Sequence, residues 1–194
     1  MNPPSRLTAL CLGGAAFLAV LLAQAAPSPG AATEKSAAES IPSAWQHHKV
    51  QFDYFGVTTL YSCDGLEVQV SRILQFFGAR KDLKVQARGC IRGPNAPNNS
   101  ILVFTDFYTL APLATPSGTD TIKAQWSPLD MSAHRPSFMS EGDCELLEDM
   151  KPLISQHFSP RELDYRTNCT PREINIASYA VKGEFLRVIL PITG

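Results

Sequence analysis

CDGLEVQVSRILQFFGAR, Cys63 to Arg80, decides how the chain is read, because its opening CDGLE returns 81 positions later as CELLE, Cys144 to Glu148. Over that stretch the same offset matches Cys63, Leu66, Glu67, Ile73, Gln75, Phe77 and Arg80, seven positions of 18, where composition alone gives about one. The two tryptophans, Trp45 and Trp126, stand at the same offset. An internal structural repeat is the expectation, with halves at about 45–110 and 126–194; the alternative is two amphipathic helices with chance identities.

Within the stretch, Leu66, Val70, Ile73, Leu74 and Phe77 follow the spacing of one buried helical face, Gly78 supplies a stop, and Asp64 and Glu67 suit a capping box. Upstream, VQFDYFGVTTLYS from Val50 is aromatic and β-branched and reads as the first strand. Downstream, Leu83, Val85 and Ala87 alternate with Lys84, Gln86 and Arg88 in a half-buried strand ending at Cys90, and the turn-rich RGPNAPNNS leads into ILVFTDFYTL, so these two strands form a hairpin. A fourth strand is placed near Thr121–Trp126, followed by a long loop, SPLDMSAHRPSFMSEGD. The second helix starts near Asp143 with Leu147, Met150, Ile154 and Phe158 on one face, and Pro152 should kink or restart it. LDYRTNC and KGEFLRVILPI supply the last strands. The order predicts an α+β domain of two βαββ units, a ferredoxin-like-type sheet with two helices packed on one face.

Residues 1–25 are set apart from this fold. Arg6 precedes the apolar run LTALCLGGAAFLAVLLAQA, and Ala23 and Ala25 have the small-x-small spacing of a signal-peptidase site, so cleavage after Ala25 is expected, with retention as an anchor the alternative. Cys11 leaves with the signal. Residues 26–44, rich in Ala, Ser and Pro, read as a flexible leader, and 45–194 as a single domain. Against 18 acidic side chains stand 17 basic ones, a balance that gives no long-range field for nucleic acid or anionic lipid.

Export makes the four remaining cysteines, Cys63, Cys90, Cys144 and Cys169, a disulfide framework with three possible pairings. The helix from Asp64 to Gly78 spans about 22 Å and the strand from Leu83 to Cys90 about 23 Å; Glu145–Phe158 and Leu163–Cys169 give about 21 and 20 Å. Each helix-starting cysteine should therefore meet the cysteine ending its own returning strand, Cys63 with Cys90 and Cys144 with Cys169. No CxxC motif is present to support redox catalysis. The paired cysteines of ferredoxin-like heavy-metal domains are missing too.

Other chemistry-bearing residues have a bland explanation beside the functional one. His47 and His48 are the candidates for a transition metal, although neighbours in an extended segment point to opposite sides and His134 and His157 lie on other elements. Asp143, Glu145 and Glu148 suit acid–base chemistry but also complement a helix dipole. Lys84, Arg88 and Arg92, with Arg80 and Lys81, form a basic strip or a solvated sheet edge. Ser132 and His134 lie in the loop at 127–143, where a hydrolase site is conceivable but no GxSxG accompanies them. Asn98 and Asn168 stand in NNS and NCT sequons, to which we give no weight.

FDYFGVTTLYSCDGLE, followed by FFGARKDLKVQARGC, resembles a family of uncharacterised exported proteins of proteobacteria, over roughly Val50 to Cys90. The resemblance implies export and a bacterial envelope location, and carries no site residues with it. The expectation is thus a periplasmic or secreted, disulfide-stabilised binding or accessory protein. It would be non-enzymatic and without a cofactor, its partner an envelope protein or small ligand, with no contact to nucleic acid, nor to membrane once the signal is cleaved. A histidine-based metal-binding or metal-delivery protein and a hydrolase are the alternatives.

Overall fold

The strands are built by alternation and the helices by one apolar stripe each, in the order β1 (Ile41–Phe55), α1 (Cys63–Phe77), β2 (Lys84–Arg88), β3 (Ser100–Pro112), β4 (Ile122–Ser132), α2 (Cys144–His157), β5 (Arg161–Thr167) and β6 (Tyr179–Val188). This computed structural model describes residues 40–90, 100–115, 120–170 and 178–189. The expected signal and most of the expected leader, together with Arg92 and Asn98, lie outside them. Among the described residues no helix is long and apolar enough to cross a membrane.

The ferredoxin-like-type sheet predicted above is corrected by the strand order. Six strands form one sheet in the order β2-β3-β1-β4-β6-β5, and every neighbouring pair is antiparallel. A ferredoxin-like sheet has four strands, whereas here six strands form one sheet, with β1 and β4 meeting at its centre and β2 and β5 at its two edges. The cause is β3, whose Ile101, Val103, Thr105, Phe107 and Thr109 are all buried. A strand so apolar on one face takes the inner position, along β1 from Ser43↔Pro112 to Phe55↔Ser100, and leaves β2 outside it. β6 does the same beside β4. The centre of the sheet is a narrow seam in which β1 and β4 pair only at Ile41↔Ala124, Pro42↔Lys123 and Ser43↔Ile122.

Several element boundaries also move. β1 begins at Ile41, within the segment assigned to the leader, and ends at Phe55, so Gly56–Ser62 is a loop. Ser62 rather than Asp64 caps α1, its side chain accepting from Gly65 N at 3.1 Å. Glu67 instead reaches sideways, Oε1 accepting from Ala87 N of β2 at 2.8 Å. β4 runs on to Ser132 through Pro128, which the expected loop had claimed. By Pro128 the seam with β1 has ended and β4 has β6 alone beside it, so the missing N–H can face away from the ladder. α2 passes through Pro152 as one helix of 14 residues.

Both helices cover the same face. Leu66, Val70, Ile73, Leu74 and Phe77 of α1 and Leu146, Leu147, Met150, Leu153 and Ile154 of α2 join one apolar cluster with Tyr54, Val103, Phe107, Met131, Val181 and Phe185 of the sheet. At its middle, where the helix ends converge, Phe77 stands 5.0 Å from Phe185 and 6.0 Å from Phe158, and Phe158 stacks 5.8 Å from Phe107. Two disulfides hold the opposite ends of the helices to the edge strands, Cys63 to Cys90 with Cα atoms 5.6 Å apart and Cys144 to Cys169 at 6.0 Å. Such bridges persist in an oxidising, extracytoplasmic environment.

Candidate functional site

With α1 and α2 on one face, every second residue of the strands points to the other, and among the described residues no helix lies over that face. Its centre is a small apolar patch, Leu110, Ala124 and Leu186 packed with Ile41, Trp45, Ile122 and Trp126. Trp45 lies opposite Leu110 and Trp126 opposite Leu186. Each tryptophan has an arginine over it, Arg80 at 5.6 Å from the Trp45 ring and Arg161 at 4.1 Å from the Trp126 ring. Arg80 also lies 3.7 Å over Tyr108 and is held by Asp82 through Nε–Oδ1 at 2.6 Å and Nη2–Oδ2 at 2.7 Å.

Outward from Tyr108 the ladder arranges side chains in rows across β1, β3 and β2. His47 stacks on Tyr108 at 4.6 Å. The next row is Lys49, Asp106 and Lys84, and the one after it Gln51, Phe104 and Gln86. Together these two rows line an open depression of about 410 Å³. Asp106 is held by His47 Nε2 at 2.7 Å and by Lys49 Nζ at 3.7 Å, and the histidine hydrogen bond keeps its carboxyl below the usual carboxylate range. Arg88 donates to Gln86 Oε1 at 2.9 Å, with its guanidinium 5.1 Å from the Phe104 ring.

The candidates named from sequence are distributed differently. His47 and His48 point to opposite faces, as extended backbone requires, so they do not form one site. His48 lies on the helix side and meets His157, ring centroids 4.7 Å apart, so the separation expected between those two residues is corrected by packing. His48 Nε2 is 2.8 Å from Thr109 Oγ1, and Thr109 donates its proton to His157 O at 2.8 Å. Burial, then the neighbouring His157 and His47, lower the His48 pKa. Among the described residues, no three His, Cys, Asp or Glu side chains converge as metal ligands.

Two of the three carboxylates at the start of α2, Asp143 and Glu145, are occupied in holding the β1–α1 loop, while Glu148 lies against Tyr165. Asp143, 1% exposed, accepts from Tyr61 Oη, from Gln69 Nε2 at 3.0 Å and from Ser140 N and Oγ at 2.6 and 2.8 Å. Glu145 Oε2 takes Val57 N at 3.0 Å and Thr58 N at 2.9 Å. Ser132 forms a tight backbone pair with Arg135, and His134 lies 4.0 Å from Glu141 on open surface, the two side chains 74% and 55% exposed. Lys84 and Arg88 of the basic strip do share the solvent face of β2. Sequence reasoning used Trp45 only for the repeat and named none of Lys49, Phe104, Asp106 and Tyr108 as a site residue, although the alternation of ILVFTDFYTL already put the last three on one side.

No family model, no curated protein and no solved structure matches this chain.

Proposed function

We propose that the protein is an exported binding or accessory protein, periplasmic or secreted, that presents the uncovered face of its sheet to a ligand or an envelope partner without transforming it. One observation carries this reading: an aromatic, cation-studded sheet face with a depression of about 410 Å³ lies on a scaffold fixed by two disulfides and one core. That volume is within the range of small-molecule sites. The two halves are read as repeats of one unit, supported by Trp45/Arg80 and Trp126/Arg161, two stacks whose members stand 81 residues apart. Membership among exported proteins of proteobacteria remains part of the proposal.

The test is a thermal-shift screen of the oxidised protein against saccharides, peptides and small anions, with each hit incubated and reanalysed chemically. A ligand that raises the melting temperature and is recovered unchanged supports the reading. A ligand recovered as product, or a flat screen, overturns it. A second reading, metal binding through histidine, is favoured by the His48–His157 contact. Thr109 Oγ1 accepts from His48 Nε2–H and so leaves the Nδ1 lone pair available. Titration with zinc and copper would support it if stoichiometric binding vanished in His48→Ala/His157→Ala and persisted in His47→Ala.

A further inference from the structure

We propose that the depression between β1, β3 and β2 is a subsite for a carboxylate-bearing saccharide; this rests on the binding reading above and names its ligand class. The register supplies the argument. Phe104 is the floor, half-buried, with Gln51 on one flank and Gln86 on the other. A sugar ring has an apolar C–H face that an aromatic ring can carry, and hydroxyls at its rim that a carboxamide can both donate to and accept from. In the adjoining row Lys49 and Lys84 flank Asp106. Asp106 has Oδ1 on His47 and Oδ2 towards Lys49, whereas Lys84 forms no ion pair among the described residues. Arg88 adds a third cation beside Phe104. The depression therefore offers a carboxylate more donors than its one acidic side chain consumes, and charge-assisted hydrogen bonds to such a group are the stronger kind.

Neutral sugars would use the floor and the amides alone. Phosphate or sulfate alone would use only the lysines. Both together, within one sugar's reach, call for a uronic or muramic acid rather than either part separately.

The experiment is a two-dimensional amide NMR titration of the oxidised protein with D-glucuronic acid against D-glucose, and with N-acetylmuramic acid against N-acetylglucosamine. Each acid is expected to bind at least tenfold more tightly than its neutral partner. Perturbations should centre on Lys49–Gln51, Lys84–Gln86 and Phe104–Asp106, and Lys84→Ala or Lys49→Ala should weaken the acid at least tenfold. Phe104→Ala should abolish binding of both acid and neutral sugars; Phe104→Leu, which keeps an apolar floor, guards against a variant that fails to fold. Equal affinity for acid and neutral sugar, saturable shifts elsewhere, no shifts at all, or indifference to Lys84→Ala overturns the subsite. A hit from another ligand class in the thermal screen would leave the binding reading standing while this inference falls. An acid bound here but chemically altered would do the reverse.

Discussion

Asp143 shows how much one buried side chain can hold. It gathers donors from Tyr61, Gln69 and Ser140, so removing its carboxylate strands several buried polar groups at once. Asp143→Ala is expected to cost about 3 kcal/mol in urea unfolding, and Asp143→Asn, which keeps the shape but turns one acceptor into a donor, somewhat less. His48 sets a pH dependence of known sign. Its folded pKa is lowered, chiefly by burial, so the neutral ring is favoured in the fold. Its contribution is full above the unfolded pKa of about 6.5 and is lost as pH falls below that value towards the folded pKa. Unfolding midpoints measured from pH 7.5 down to 5 should decline, and less steeply in His48→Gln; an unchanged slope would remove the assignment. Tyr61 works at the other limit, its pKa raised first by burial and then by its bond to Asp143, so its share of stability is lost as pH climbs above about 10.

At the scale of elements, the helices were legible because each writes its own stripe, and the disulfides because the cysteines sit at the ends of elements of matching length. Each bridge closes a loop of similar size, with sequence separations of 27 and 25. Cys63→Ser/Cys90→Ser and Cys144→Ser/Cys169→Ser should each lower stability by about 3 kcal/mol, read from denaturant midpoints. The extents of β1 and β4 were not legible. The stretches that sequence left out of these strands carry Ser43, His47, His48 and Pro128, whose strand conformation is set by partners that local propensity does not see. Pro152 is a related case. The helix runs unbroken through it, with Leu153 and Ile154 anchored in the core, although Pro152 has no N–H to give to the preceding turn. Pro152→Ala should therefore stabilise the protein by about 2 kcal/mol, the helix gain less the added freedom of the unfolded chain. A loss of stability would mean that the ring packs against something the helix needs.

For the whole molecule, the order of strands was the part hidden from sequence, because hairpins and crossovers can place the same apolar strands in several orders. What selects the observed one is burial on both halves of β3 and β6, which drives β2 and β5 outward and brings β1 and β4 together at a short seam. With so few paired residues at the seam, the patch of Trp45, Leu110, Ala124, Trp126 and Leu186 ties the halves on this face as the shared core does beneath the helices, with Arg80 and Arg161 lying over its two indoles. Because the chain has only these two tryptophans, its tryptophan fluorescence, excited beyond tyrosine absorption, reports that patch alone. Arg80→Ala/Arg161→Ala removes both stacks, each worth about 0.5–2 kcal/mol, and bares the rings to water. Tryptophan emission should shift to the red and quench more readily with acrylamide, while far-ultraviolet circular dichroism stays as it was, since neither arginine belongs to the core beneath the helices. If the stacks act independently, each single substitution gives about half the shift. Emission unchanged in the double variant would mean that something other than the two guanidinium groups covers the indoles, and the patch would then have to be assigned a different roof.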